Sequence, residues 1–162
     1  MRFRIQQRFD APVEDVEAVL LDPAFLDRLG TLPKLGRPTL LDQREEGDRV
    51  HRRVRYAFAG QLSSAVTAVV DPARLTWVEE STVDRSTHRT TFRILPDHYR
   101  DRLKAAGTFV LSSDGAGSRR MAEGDVDVRF PLVGSKVERA IVSGLQEHAA
   151  AEARAVSDWL AE

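Results

Sequence analysis

The sequence predicts an α+β domain in which a curved, seven-stranded antiparallel sheet wraps one long C-terminal helix, in the order β-α-α-β6-α. Three observations carry this reading. Residues 2–10 alternate between apolar and polar and lead into two short amphipathic segments. Residues 39–130 hold a succession of alternating segments separated by turn-forming residues, the pattern of a meander. From Gly134 onward the apolar positions recur in three- and four-residue steps, the period of a helix. Strands and helices segregated in this way belong to an α+β fold and not to a parallel βαβ one.

The totals narrow the function classes. At 162 residues, without repeat, linker or low-complexity tract, the chain is read as one domain over 1–162, large enough to bury a core. A formal net charge of -1 gives no electrostatic case for nucleic acid. The absence of cysteine removes disulfides, thiolate metal sites and cysteine nucleophiles. Met1 to Ile5 alternates at once and has no apolar signal core, and no window approaches the run of about 18 apolar residues that a spanning helix needs. The expectation is a cytoplasmic protein with no integral membrane association.

In chain order, Phe3, Ile5 and Phe9 point one way from the first strand and Arg2, Arg4, Gln6 and Arg8 the other. Asp10 is placed to cap a helix carrying Val13, Val16, Val19 and Leu20, with Ala11 and Pro12 in its first turn. That helix stops before Pro23. A second one carries Phe25, Leu26 and Leu29, with Gly30 as its C-cap, and Leu32 to Gly36 reads as a loop. Strands over 39–45 and 49–59 meet at the turn Glu46-Gly47-Asp48. Leu62, Val66, Val69 and Val70 fit helical spacing, with Ser63 or Ser64 as cap, although valines alone favour a strand. Further strands cover 75–83, 87–95, 103–112 and 119–130, with the hairpin turn at Asp114-Gly115-Ala116-Gly117 between the last two.

Past Pro131 the stripe runs through Val137, Ala140, Ile141, Gly144, Leu145, His148, Ala149, Ala155, Val156 and Trp159. About 27 residues at about 1.5 Å each make roughly 40 Å of helix, enough to span a small domain. The small residues Ala140, Gly144, Ala149 and Ala151 fill little space, so a cavity is expected between helix and sheet. Pro131 and Gly134 read as the hinge that turns the last strand back across the sheet.

This element order resembles the START-like (SRPBCC) superfamily, the helix-grip fold of START lipid-transfer domains and birch-pollen-type allergens. Four stretches sharpen the resemblance: Phe9-Asp10-Ala11-Pro12-Val13-Glu14-Asp15-Val16, Leu75-Thr76-Trp77-Val78-Glu79-Glu80-Ser81-Thr82, Thr87-His88-Arg89-Thr90-Thr91-Phe92, and Pro131-Leu132-Val133-Gly134-Ser135-Lys136-Val137-Glu138. Together they are similar to an uncharacterised, mainly actinobacterial family of that superfamily, domain of unknown function 2505. The resemblance covers essentially the whole chain and implies the fold; the family itself has no assigned activity.

Candidate chemistry is sparse. His148 lies on the apolar stripe, as a polar anchor in the cavity or as a histidine bonded at the core edge. Alternation sends one of Glu79 and Glu80 to each face of its strand. The inner one needs an arginine or a ligand, and Arg52, Arg89 and Arg93 are available on neighbouring strands; the alternative is a cross-strand Glu–Arg ladder on the wet face. Glu123, Asp125 and Asp127 read as a solvated face, and no metal or cofactor is predicted. No G-x-S-x-G elbow or phosphate loop is present. The preferred function is non-catalytic binding or carriage of a lipid or other apolar small molecule. Its cavity would be lined by Phe3, Ile5, Val54, Tyr56, Phe58, Trp77, Glu79, Ile141, Leu145 and His148. Two alternatives stand beside it. One is a polyketide cyclase-type enzyme using His148, Glu79 and Tyr56, and the other an Hsp90-activator-like interaction module using the arginine-rich outer face.

Overall fold

A computed structural model describes residues 1–30, 32 and 34–162 of the chain. One curved sheet holds seven antiparallel strands in the order β1-β7-β6-β5-β4-β3-β2. They are β1 (Arg2–Phe9), β2 (Thr39–Glu46), β3 (Arg49–Ala57), β4 (Thr76–Asp84), β5 (Arg89–Pro96), β6 (Leu103–Asp114) and β7 (Gly117–Val128). The helices are α1 (Val13–Leu21), α2 (Pro23–Leu29), the single turn α3 (Ser64–Thr67) and α4 (Gly134–Ala161). From β2 to β7 every strand pairs with its predecessor, and β1 closes on β7, so α1 and α2 cross from one sheet edge to the other.

Burial explains why these segments take these forms. In β1 the exposed and buried positions alternate without exception, with Phe3, Ile5, Gln7 and Phe9 inside. The inner face and helices form two apolar clusters. One joins Phe9, Val16, Phe25, Leu26, Val54, Leu111 and Val156, with the Phe25 and Trp159 rings edge to face at 5.6 Å. The other joins Phe3, Ile5, Val66, Val70, Val126 and Val137, with Ile141 against it. Burying each such side chain contributes about 1.5–3 kcal/mol. The outer face carries the expected ladder: Arg93 lies 2.9 Å and Arg53 3.7 Å from Glu80, while Arg4 and Arg129 pair with Glu123 and Asp127.

Several boundaries differ from expectation for local reasons. Asp10 does not cap α1: Pro12 occupies the N-cap position with extended backbone and no side-chain cap forms. Asp10 lies too early in the chain to reach the free amides of the first turn. Asp22 caps α2 instead, accepting from the Ala24 amide at 2.8 Å ahead of Pro23 at the first turn. Gly30 does take the C-cap position. Pro33, within the expected loop 32–36, lies outside the described residues. The helix expected over 62–70 shortens to one turn capped by Ser63; Val66 and Val70 are buried while Val69 is 48% exposed. Strand β3 ends at Ala57, because Phe58 leaves the ladder for an isolated bridge to Leu35. Strand β7 ends at Val128, and Phe130 packs edge-on against Tyr99 at 5.5 Å.

The turn into α4 follows from two backbone constraints. Leu132 has φ 68 and is almost fully exposed. At Gly134 an added Cβ would sit 2.5 Å from the Val128 carbonyl oxygen, so only glycine lets the helix start this close to the end of β7. The inner stripe of α4 then runs through Val137, Ile141, Gly144, His148, Ala151, Ala155 and Val156. Ala140 and Leu145, expected on that stripe, are exposed. They flank it by one position, since a helix step of 100° carries them past the edge of the buried sector.

Candidate functional site

Strand alternation and helix phase together place a charged layer inside the molecule. Gln7 shares its face with Phe3 and Ile5, Arg52 with Val50 and Val54, and Arg120 with Ala122 and Val126. Glu152 follows His148 by one helical turn. These side chains converge beside a cavity of about 80 Å³ bounded by α1, α2, the sheet and α4. Its polar wall includes Arg52, Tyr56, Glu79, Arg120 and Glu152, and its apolar wall Leu20, Phe25, Leu26, Leu29, Phe109 and Leu111.

The central pair is Arg120 and Glu152, joined by a 2.7 Å hydrogen bond from Nη1 to Oε1 with both side chains nearly buried. Gln7 Nε2 donates to the same carboxylate at 3.0 Å and to the Ala149 carbonyl at 2.8 Å. The Arg120 guanidinium also lies 4.0 Å over the Phe109 ring, which suits a weakly hydrated cation. Burial alone would raise the Glu152 pKa, but Arg120, His148 and Gln7 outweigh it and hold the carboxyl below its ordinary value.

Around this pair the neighbours are less satisfied. Arg52 Nη1 donates to the Leu20 carbonyl at 2.8 Å, and Gln43 Nε2 to that of Leu21 at 3.0 Å. The two side chains thereby cap the last turn of α1, which has no basic residue of its own. Arg52 Nε and Nη2 are buried, and among the described residues no protein atom accepts from them. Burial lowers the Arg52 pKa. Burial also raises the Glu79 pKa, against the pull of Arg120 and Arg52, and raises that of Tyr56. His148 is held below its ordinary value, first by burial; its Nε2 is 3.8 Å from Glu152 and its buried Nδ1 has no protein partner among the described residues. At the rim, the His88 ring meets the buried Glu17 carboxylate at 2.9 Å, joining the β4–β5 turn to α1.

Of the ten residues that the sequence singles out, Tyr56 and Glu79 line this cavity. Trp77 stacks on Tyr56 at 6.0 Å, and His148 stands behind Glu152. Val54 belongs to the adjoining core cluster. Phe3, Ile5 and Ile141 pack together in the other cluster and do not line this cavity. Phe58 stands beyond the end of β3, and Leu145 is 36% exposed. The small residues do not make the space either. Gly144 faces the Lys34 side chain, whereas the cavity lies two turns further along, under Glu152. Sequence reasoning passes over Arg120, Glu152 and Gln7, and names Arg52 only as one of three arginines available to Glu79 or Glu80. The available signal was phase: each is polar at a position where its element is otherwise apolar.

A family model described as "Protein of unknown function (DUF2505)" matches residues 4–160. The chain belongs to the DUF2505 family. No curated protein matches its sequence. Among solved structures it is similar to TTHA0849 from Thermus thermophilus, at TM-score 0.69 and 19% identity over 98% of this chain and 95% of that one. The Zhui aromatase/cyclase from Streptomyces sp. R1128 aligns at TM-score 0.67 and 15% identity over 98% and 92%. Ara h 8.0201 aligns at 0.63 and 12% over 100% and 99%. At these identities the likeness is one of fold, and the fold is the helix-grip fold. Among the described residues no helix is long and apolar enough to cross a membrane. Among the described residues of this DUF2505 chain, the titratable groups lining the cavity are Arg52, Tyr56, Glu79, Arg120 and Glu152, with the Glu17–His88 pair at the rim and His148 behind Glu152.

Proposed function

We propose that the chain is a non-catalytic binding or carrier protein for a small amphipathic molecule, lipid-derived or otherwise largely apolar, held between sheet and α4. The observation that carries this reading is the two-sided cavity. Its apolar side comes mainly from α1, α2 and β6, and its polar side from β3, β4, β7 and α4, with Glu17 of α1 and His88 adding a polar rim. Ligand sites of this kind combine apolar enclosure with a few convergent polar groups that fix orientation. A volume of about 80 Å³ suits a short guest, and a longer one requires the α1–α2 wall to move outward. Fold neighbours that include an aromatase/cyclase support a helix-grip cavity as a place for organic molecules. Native mass spectrometry of gently purified protein is expected to show a co-purifying small molecule. Protein that is always empty, and that also fails to bind short-chain amphiphiles, contradicts the reading.

A second reading, a cyclase-type enzyme, draws on the grouping of Tyr56 and Glu79 in the cavity wall with His148 behind Glu152. Acid–base chemistry asks for groups with shifted pKa values in reach of a guest. The two readings separate by incubation. A carrier returns its extracted ligand unchanged, whereas an enzyme returns product, and Glu79→Gln slows that conversion.

A further inference from the structure

We propose that the cavity guest is a monocarboxylic acid, its carboxylate seated on the side-on fork formed by Arg52 Nε and Nη2. The inference rests on the cavity-binding reading above and specifies the chemistry of the ligand. A guanidinium presents two forks, and the side-on fork matches the two oxygens of a carboxylate. On the outer face of the same sheet the protein uses that edge twice: Arg55 Nε and Nη2 donate to the two oxygens of Asp97, and Arg93 Nε and Nη2 both donate to Oε2 of Glu80. Inside, Arg52 spends only Nη1, on the Leu20 carbonyl, and its Nε and Nη2 find no protein acceptor among the described residues.

Charge points the same way. Arg120 is matched by Glu152 at 2.7 Å, which leaves Arg52 as the cation in this layer without a hydrogen-bonded counterion. Glu79 is the other anion within electrostatic reach, and burial favours its neutral form. Water satisfies donors but does not neutralise a buried cation, whereas an anion does both. The apolar side of the same cavity, Phe25, Leu26 and Leu29, then receives the body of the acid.

The test titrates the full chain with hexanoate, 1-hexanol and hexylamine at fixed ionic strength, by calorimetry or ligand-observed NMR. Hexanoate is expected to bind at least about tenfold more tightly than the alcohol, and hexylamine the least well. Arg52→Gln should bring hexanoate down to the level of the alcohol. Arg53→Gln, on the outer face of the same strand, should change neither. Arg52→Lys keeps a donor for Leu20 but has no fork, and should also lose most of the preference. Should the Arg52 variants fail to fold, wild-type protein still decides: one arginine Nε–H resonance must shift with hexanoate and not with hexanol. Equal affinity for acid and alcohol, or a preference that survives Arg52→Gln, overturns the acid assignment while the binding reading stands. If none of the three probes binds, the binding reading falls and this inference with it.

Discussion

At the scale of single residues, Arg120 and Glu152 are held inside only because each answers the other. Removing one partner of a buried pair strands the remaining charge, at a cost of about 3–5 kcal/mol, whereas replacing both with apolar residues of similar size is often close to neutral. Arg120→Leu is therefore expected to lower unfolding free energy by about that amount, and Arg120→Leu with Glu152→Leu to recover most of it. Urea denaturation of the two single variants and the double one measures this; additive losses would mean that the pair is not coupled. Glu79 gives a pH signature of the opposite sign to that of Glu152. Its folded pKa lies above the ordinary 4.5, so its contribution is intact below that value and is lost as pH rises toward the folded pKa. Glu152 is depressed, and its contribution is lost as pH falls through its folded pKa. Glu79→Gln should abolish the loss of stability on the alkaline side of 4.5 and leave the acid limb, read from the denaturation midpoint across pH. A variant with an unchanged pH profile would show Glu79 ionised in the folded protein.

At the scale of elements, two glycines in α4 separate what the backbone requires from what it tolerates. A methyl at Gly134 meets the Val128 carbonyl oxygen at 2.5 Å, so Gly134→Ala should force the helix away from β7 and cost about 1–3 kcal/mol. At Gly144 the nearest atom to an added Cβ is Lys34 Cδ at 3.8 Å, ordinary contact inside a long helix. Gly144→Ala should stabilise by about 0.5–1 kcal/mol through helix propensity alone. Thermal melts of both variants test the pair, and a destabilising Gly144→Ala would mean that α4 sits closer to its surroundings at this point. The element order and all seven strands were legible in the sequence, because period 2 and period 3.6 differ sharply over windows this long. The sector of α4 that faces inward was less legible. Ala140 and Leu145 lie one step from the buried stripe, and periodicity alone does not resolve 100° when small residues carry so little hydrophobic signal. The inward-facing polar residues are hidden for the converse reason: Gln7, Arg120 and Glu152 interrupt positions where the periodic signal is carried by apolar neighbours. Only the pairing of β1 with β7 and the packing of α4 on both bring those three together.

At the scale of the whole molecule, the cavity has two firm walls, the sheet and α4, and one that is held by side chains. The sheet is a continuous backbone ladder from β2 to β1, and α4 lies along it over 28 residues. The α1–α2 wall has no backbone ladder to the sheet. Beyond its share of the apolar core, its ties among the described residues include Glu17 to His88, Arg52 and Gln43 to the last carbonyls of α1, the ion pair of Arg28 with Glu162 at 2.6 Å, and the Phe25–Trp159 contact. Local opening follows the weakest cooperative unit, so this wall should open well below the free energy of global unfolding. Native-state hydrogen exchange is expected to show α1 and α2 amides exchanging ahead of those in β6 and β7. A carboxylate guest that bridges Arg52 and the apolar side chains of α2 should close the gap, raising protection in α1–α2 first. At 100 times its dissociation constant, such a ligand adds about 2.7 kcal/mol to global stability, and the opening of α1–α2 should be suppressed by a similar amount if opening releases the guest. Protection that rises only in the sheet would place ligand entry elsewhere. Phe25→Ala supplies the complementary perturbation. It removes a ring that is only 1% exposed from the first core cluster, costing about 3–5 kcal/mol if the site does not collapse, and should bring the opening of α1–α2 closer to equilibrium with the closed state. Entry through this wall then predicts faster association of hexanoate in the Phe25→Ala protein, measured by stopped flow under conditions where it remains folded, and an unchanged association rate would exclude that route.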